Sequence, residues 1–378
     1  MPALRSLICS SLLLTACGGA EPPAGDQTAS ADQPAGEWRQ LTDPKPASGS
    51  MRVLVYHDME GLSGQDDPAT FRFSHRERYA VGRERLIADI NAVVDGLIAG
   101  GATQVDVVDA HGSGNPDPDV TRAGLDPRAN QVTRETPFRQ YVDLVADDVY
   151  DAVVAVGMHA KTGSKGFASH TYTIGMDLIL NGHSITESEL VAFSWGRVGV
   201  PMIMVTGDDR LHADLATMPW IEYVETKRAT AADQAELRPV DEVHAEMRAA
   251  AERAVKNRGQ ARVTTIATPV RAALRAVEPA DLSLLDGVPG IQYHDQQVDF
   301  TAADFGAAYD GLIALIGVAT KSYPRLLTET VRKRADGPAT LLQFSDLLFQ
   351  RWMDVESGRW TPPEPAKPEP GRRYHGAN

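Results

Sequence analysis

Cysteine is almost missing from this chain. Its two copies, Cys9 and Cys17, both fall in the first 17 residues. Beyond them there is no thiol for a disulfide, a nucleophile or a thiolate-held zinc ion. Basic charge is scarce as well. Lys and Arg number 37 against 51 Asp and Glu, a formal net charge of −14, with no Lys/Arg run. Nucleic acid is therefore not an expected partner. The apolar stretch Leu7–Leu14 is shorter than the about 20 residues a membrane span requires. No Gly-x-Ser-x-Gly elbow or Walker loop occurs, and Gly61-Leu62-Ser63-Gly64 is too short to count as a phosphate loop. Serine-hydrolase and NTPase chemistry drop out accordingly. There is no internal repeat.

The ends carry their own signals. Residues 1–17 combine Arg5, the apolar stretch and Leu14-Thr15-Ala16-Cys17, the pattern of a lipoprotein signal peptide. The expectation is cleavage before Cys17, acylation of that residue, and a membrane-anchored protein facing the periplasm or cell exterior. Gly18, which is not acidic, favours the outer membrane. Residues 18–50 lack apolar periodicity and read as a flexible tether. Residues 360–378, with five prolines from Pro362 to Pro370, read as an extended Pro-rich tail.

Between them the pattern alternates. Strands are expected at Met51–Tyr56, Gln104–Val108, Ala152–Val156 and Pro201–Val205. Helices are expected at Arg76–Ala99, Pro137–Val145 and Glu187–Gly196, and a hairpin turns at Asn181-Gly182. Alternation of this kind predicts an α/β fold with a mostly parallel sheet flanked by helices, over residues 51–225. The second half changes character. A helix at Asp241–Asn257, β-rich runs at Ala261–Thr268, Ala272–Val277 and Gln292–Phe300, and a helix at Ala302–Val318 predict a smaller α+β domain over residues 226–323. A helical extension is expected over residues 324–359.

Acids and histidines gather where the strands end. Asp58 and Glu60 close the first run, and Asp109 and His111 the second. His159 follows the third, and His170 and Glu187 flank the hairpin. In a parallel sheet ligands bind beyond the carboxyl ends of the strands, so residues distant in sequence converge there. Asp58 and Glu60, two apart, face the same side if the chain stays extended. Carboxylates with imidazoles suit zinc, manganese or cobalt. Two metal ions sharing a carboxylate would make a hydrolytic centre. Taken singly, each residue has an ordinary role as well. Asp58, Asp208 and Asp209 fit caps, and Glu187 fits the first turn of a helix. His57, His75, His183 and His244 read as structural.

At these residues the chain resembles the zinc-dependent D-aminopeptidase family, the DppA-like metallopeptidases. The resemblance spans about Met51–Val318 and rests on motifs in order. They are Asp58-Met59-Glu60-Gly61-Leu62-Ser63-Gly64, Asp109-x-His111, Gly157-Met158-His159-Ala160, Ser169-His170, Glu187 after Asn181-Gly182, Val200-Pro201 and Gly207-Asp208-Asp209. It implies two zinc ions per chain held by Asp58, Glu60, His111, His159 and Glu187, with Asp58 bridging. Glu60 and His159 would complete one site, and His111 and Glu187 the other. It implies His170 as the catalytic residue, a homo-oligomer of the ring-shaped decamer kind, and short peptides beginning with D-alanine or another small D-residue as substrates. The leading expectation is thus a membrane-tethered extracytoplasmic dizinc aminopeptidase. A metallohydrolase of another class, such as a phosphoesterase, and a non-catalytic peptide-binding lipoprotein are the competing readings.

Overall fold

Short runs of β-branched residues separated by amphipathic helices dictate where this chain is buried. The computed structural model describes residues 38–47, 49–363 and 371–376. The expected signal peptide, Cys17 and most of the expected tether lie outside them. The main sheet has seven strands. In chain order they are β2 (Arg52–His57), β3 (Gln104–Asp109), β4 (Ala129–Gln131), β5 (Ala152–Met158), β8 (Met202–Asp208), β9 (Glu222–Ala231) and β10 (Gln234–Leu237). They lie side by side as β10-β9-β8-β5-β2-β3-β4, all parallel except the β9–β10 edge. From β2 the chain steps outward to β3 and β4, then returns to the other side of β2 for β5, β8 and β9. The strand order thus reverses between β2 and β5, the kind of place where α/β sheets open a crevice.

Both faces of the sheet are covered. Val53, Val55, Val154 and Val156 pack against α1 (Arg76–Ala99) and α4 (Val240–Lys256). Leu54, Tyr56, Val153 and Ala155 face a second core, the period-two division of a strand buried on both sides. Each fully buried Val or Leu contributes about 1.5–3 kcal/mol relative to exposure. Helix α1 stops at Gly100-Gly101, Gly101 having φ +108.

The second core lies under an antiparallel sheet in the order β13-β14-β12-β6-β7. Its strands are β6 (Met176–Leu180), β7 (His183–Ser184), β12 (Val270–Ala276), β13 (Gln292–His294) and β14 (Gln297–Ala302). The hairpin at Asn181-Gly182 is present, with both residues at positive φ. Helices α2 (Glu187–Gly196), α3 (Asp209–Asp214) and α5 (Phe305–Ala319) complete this side.

The fold is the expected α/β class with a large, mostly parallel sheet and additional antiparallel strands. Its internal divisions differ from the sequence reading. Residues 226–323 do not stand apart as a domain. Strands β9 and β10 finish the main sheet, α4 packs on α1, and β12 pairs with β6 from the first half. A strand needs a partner for its backbone groups, and here the partner lies across the expected boundary. Part of the expected tether of residues 18–50 is built into the fold. Strand β1 (Arg39–Thr42) pairs with β11 (Val263–Ile266), and Trp38 stacks on His183. The Pro137–Val145 segment is not a helix but a set of turns. The extension forms α6 (Tyr323–Arg332) and α7 (Gly337–Glu356). Helix α7 leaves Leu342, Leu347 and Phe349 more than 60% exposed, an apolar patch of the sort that marks interaction surfaces. No described helix is long and apolar enough to cross a membrane.

Candidate metal centre

The crevice at the strand reversal is built by two segments that touch backbone to backbone. Past the end of β2, Asp58 N–H donates to Val156 O at 2.8 Å and Gly61 N–H to Gly157 O at 2.7 Å. The contact leaves no room for side chains. A Cβ on Gly61 would sit 1.8 Å from Met158 O, and one on Gly157, at φ +72, would sit 2.4 Å from Asp58 O. Glycine at both positions is therefore a requirement of close approach. Asp58 and Glu60 do not share a face through strand alternation, because the chain turns at Met59. Both carboxylates accept the Met59 N–H, at 2.7 and 3.2 Å, and the turn aims them together.

Asp58 lies at the centre of the cluster. Its Oδ1 is 3.0 Å from His111 Nδ1, which is 3.1 Å from Glu60 Oε2. Its Oδ2 is 3.4 Å from His159 Nε2, which is 3.5 Å from Glu187 Oε1. The two oxygens thus open onto two imidazole–carboxylate pairs. Asp58, Glu60 and His159 also have donor atoms within 4.8 Å of one another, as do His159, His170 and Glu187. By distance, Glu60 falls with His111 and Glu187 with His159. Of the sequence-based division, only Glu60 near His159 has a counterpart in these groupings.

Each imidazole is held by a backbone carbonyl through one nitrogen and presents the other. His111 Nε2 donates to Phe71 O at 2.7 Å, His159 Nδ1 to Ala160 O at 3.0 Å, and His170 Nδ1 to Ala168 O at 2.8 Å. This fixes tautomer and ring plane, as at histidines that ligate metals. His170 stacks on His159 with centroids 4.0 Å apart, and its Nε2 is 3.8 Å from Glu187 Oε1.

The electrostatics describe a site short of positive charge. Burial, then the neighbouring Asp58 charge, pushes Glu60 up to about 7. Burial also opposes ionisation of Asp58, but Glu60, His111 and His159 outweigh it and hold that carboxyl well below its ordinary value. His111 is raised well above its ordinary value because Glu60 and Asp58 overcome its burial. His159 is raised likewise by Glu187 and Asp58. Burial and His159 push His170 down to about 4. His159 Nε2 is buried yet makes no hydrogen bond, although two carboxylates face it. A buried imidazole nitrogen without a hydrogen-bond partner costs free energy. Carboxylates and imidazoles converging on such an atom form a donor set that fits zinc.

Several residues that the sequence reading passed over complete the shell. Tyr141 Oη donates to Glu187 Oε2 at 2.7 Å, and Tyr172 N–H to Glu187 Oε1 at 2.6 Å. Tyr172 adopts φ +70 to do so, an uncommon conformation for a bulky residue. Lys227 is fully buried. Its Nζ donates to Glu60 O at 2.6 Å and Gln65 O at 2.9 Å and sits 4.2 Å over the Phe167 ring. A lone Lys in the run Glu222–Ala231 carried no signal of this. Tyr141 was hidden in a segment expected to be a helix. Asp208 caps α3 through Leu211 N–H and also accepts from Phe167 N–H, both at 2.8 Å.

Comparison with known proteins points the same way. A family profile described as D-aminopeptidase matches residues 51–314. A D-aminopeptidase of Bacillus subtilis (strain 168) is 31% identical over 162 residues, 42% of this chain and 57% of that protein. The chain thus spans little more than half the length of that relative. A solved structure described as the Zn-dependent D-aminopeptidase DppA from Bacillus subtilis, a self-compartmentalizing protease, superposes with a TM-score of 0.64. The match covers 71% of this chain and 98% of that one at 22% identity, a likeness of fold.

Proposed function

Because the chain belongs to the D-aminopeptidase family, we propose that it is a dizinc aminopeptidase that removes N-terminal residues, D-alanine or another small D-residue, from short peptides. The observation that carries this reading is Asp58, whose oxygens face His111 with Glu60 and His159 with Glu187. Asp58 would bridge, Glu60 and His111 would hold one zinc ion, and His159 and Glu187 the other. Bound there, zinc supplies the Lewis acidity that polarises a carbonyl and makes hydroxide available at neutral pH.

The chain's own residues do the rest. Phe71 O and Ala160 O keep the ligating nitrogens of His111 and His159 turned inward. Tyr141 and Tyr172 leave Glu187 one orientation. His170, with its Nδ1–H given to Ala168 O, offers the Nε2 lone pair to take a proton from the reacting group, and only the imidazolium so formed would steady negative charge on the scissile carbonyl oxygen. The test is zinc content of protein never exposed to chelator, with a chromogenic panel of D-alanyl, L-alanyl and phosphoester substrates. Two zinc ions and D-alanyl turnover are expected. Phosphoester turnover without aminoacyl turnover would replace the reading with that of a phosphoesterase, and protein without zinc would remove it.

Tyr141→Phe removes one hydrogen bond from Glu187 and little volume. Outer-shell changes of this kind lower metal affinity by about 10–100-fold. We expect zinc to pass to a chromophoric chelator at correspondingly lower concentration, with the thermal midpoint of the metal-free protein little changed. Equal zinc retention would show that Tyr172 N–H alone suffices to hold Glu187.

We place the enzyme outside the cytoplasm, on a lipid at Cys17, because Leu14-Thr15-Ala16 precedes that residue. Cys17→Ala should move the protein from the membrane fraction to the soluble one. A variant that stays with the membrane would mean that another feature retains it. We also read the chain as a homo-oligomer, and sedimentation velocity on the zinc-loaded protein would test this, a monomer mass counting against it.

A further inference from the structure

The family match ends at residue 314, yet residues far beyond it return to the loops that build the metal centre. Tyr374 and Arg134 exchange both backbone hydrogen bonds, at 2.7 and 2.9 Å. Phe138 N–H donates to Gly376 O at 3.0 Å. Arg373 donates from Nε to Thr133 Oγ1 at 3.0 Å and from Nη2 to Thr133 O at 2.9 Å. On its other side the segment closes a small polar cavity lined by Asp109, Gly112, Asn115 and Gln140, together with Arg373 and His375. It thus lies between two stretches of chain. One is the Asp109–Asp117 loop, which carries His111 and has Gly112 and Gly114 at positive φ. The other is the Thr133–Tyr141 stretch, whose last residue donates to Glu187.

We propose that Gly371–Gly376 is a positioning strap, which holds the His111 loop and the Tyr141 stretch where the metal centre needs them. The proposal rests on the dizinc reading. Its physical content is a competition. Pro137–Val145 has helical apolar spacing, yet it runs as turns, and the amides of Arg134 and Phe138 are bonded to the strap. Without that bonding the stretch is free to seek its local preference, and a change of backbone there swings Tyr141 off Glu187. The loop with two positive-φ glycines likewise loses the surface it lies against. Segments tied down by hydrogen bonds are ordered where untied ones fray.

The test uses the full chain. Tyr374→Pro deletes the N–H that bonds Arg134 O, and Tyr374→Phe keeps it. With Tyr374→Pro, zinc should pass to a chelator at about 10-fold lower concentration or less, and KM for a D-alanyl substrate should rise. With Tyr374→Phe both should match the parent. Hydrogen exchange on the metal-free proteins should show faster exchange at residues 109–117 and 133–141 in Tyr374→Pro and parental rates in the β2 and β5 core. Unchanged exchange in those two stretches would overturn the strap, as would faster exchange spread evenly over the molecule, which would mark a general fold contact. If the parent itself holds no zinc, the dizinc reading falls, and exchange in the two stretches still decides whether the strap orders them.

Discussion

On the dizinc reading, Asp58→Asn will leave the protein folded and strip it of its zinc. The substitution keeps size and keeps an oxygen for the Met59 N–H, which Asp58 accepts at 2.7 Å. It removes the one charge that both imidazole–carboxylate pairs share. In the metal-free protein that charge is also what, after burial, pushes Glu60 up to about 7, so its loss relieves a repulsion between buried carboxylates. Against that, the contacts with His111 and His159 that hold Asp58 well below its ordinary value are weakened, so the metal-free chain should still fold but with reduced stability. Metal binding should collapse, because each zinc ion keeps only one histidine and one carboxylate from the chain. We expect zinc content below one ion per chain and kcat/KM down by on the order of 10⁴-fold or more, the scale on which a catalytic unit fails when one member is lost. Elemental analysis and D-alanyl turnover on one preparation check both parts. Two retained zinc ions would mean that Asp58 does not bridge.

Much of this was legible because local and tertiary signals agreed. Arg76–Ala99 is a helix over the residues its apolar spacing marks, since the face that packs under β2 is also the periodic face. Asn181-Gly182 turns because both residues tolerate positive φ. Asp58, His111 and His159 could be brought together on paper because strand ends in a parallel sheet converge whatever the strand order. Where sequence reading failed, the deciding partner was far away. Pro137–Val145 has a helical pattern, but its backbone bonds to Gly376. The expected second domain dissolved because β12 pairs with β6, a non-local choice that no window of sequence contains. Asp58 and Glu60 were expected to align by strand alternation and instead align through a turn around one amide. Tyr141 and Lys227 act through contacts to residues far away in the chain, which leave no periodic trace.

The last of the larger effects concerns His170, the one imidazole of the cluster that Asp58 does not contact at ion-pair distance. Its Nε2 approaches Glu187 only to 3.8 Å, while His111 and His159 lie within 3.5 Å of two carboxylates each. It is also the more exposed, at 19% of its side-chain surface against 6% and 1%, so a substrate can reach it. On the dizinc reading, those two facts favour contact with the substrate over metal holding for His170. His170→Ala should keep both zinc ions and lose on the order of 10²–10⁴ in kcat. The loss should fall on kcat more than on KM, because a proton transfer or an oxyanion contact strengthens mainly in the transition state. The stacked ring also covers His159, so a purely structural His170 predicts a different result. In that case zinc would be lost, and the turnover of reloaded enzyme would be close to the parent's. Zinc content and kcat measured on the same sample distinguish the two, and full metal with parental kcat would take His170 out of the mechanism.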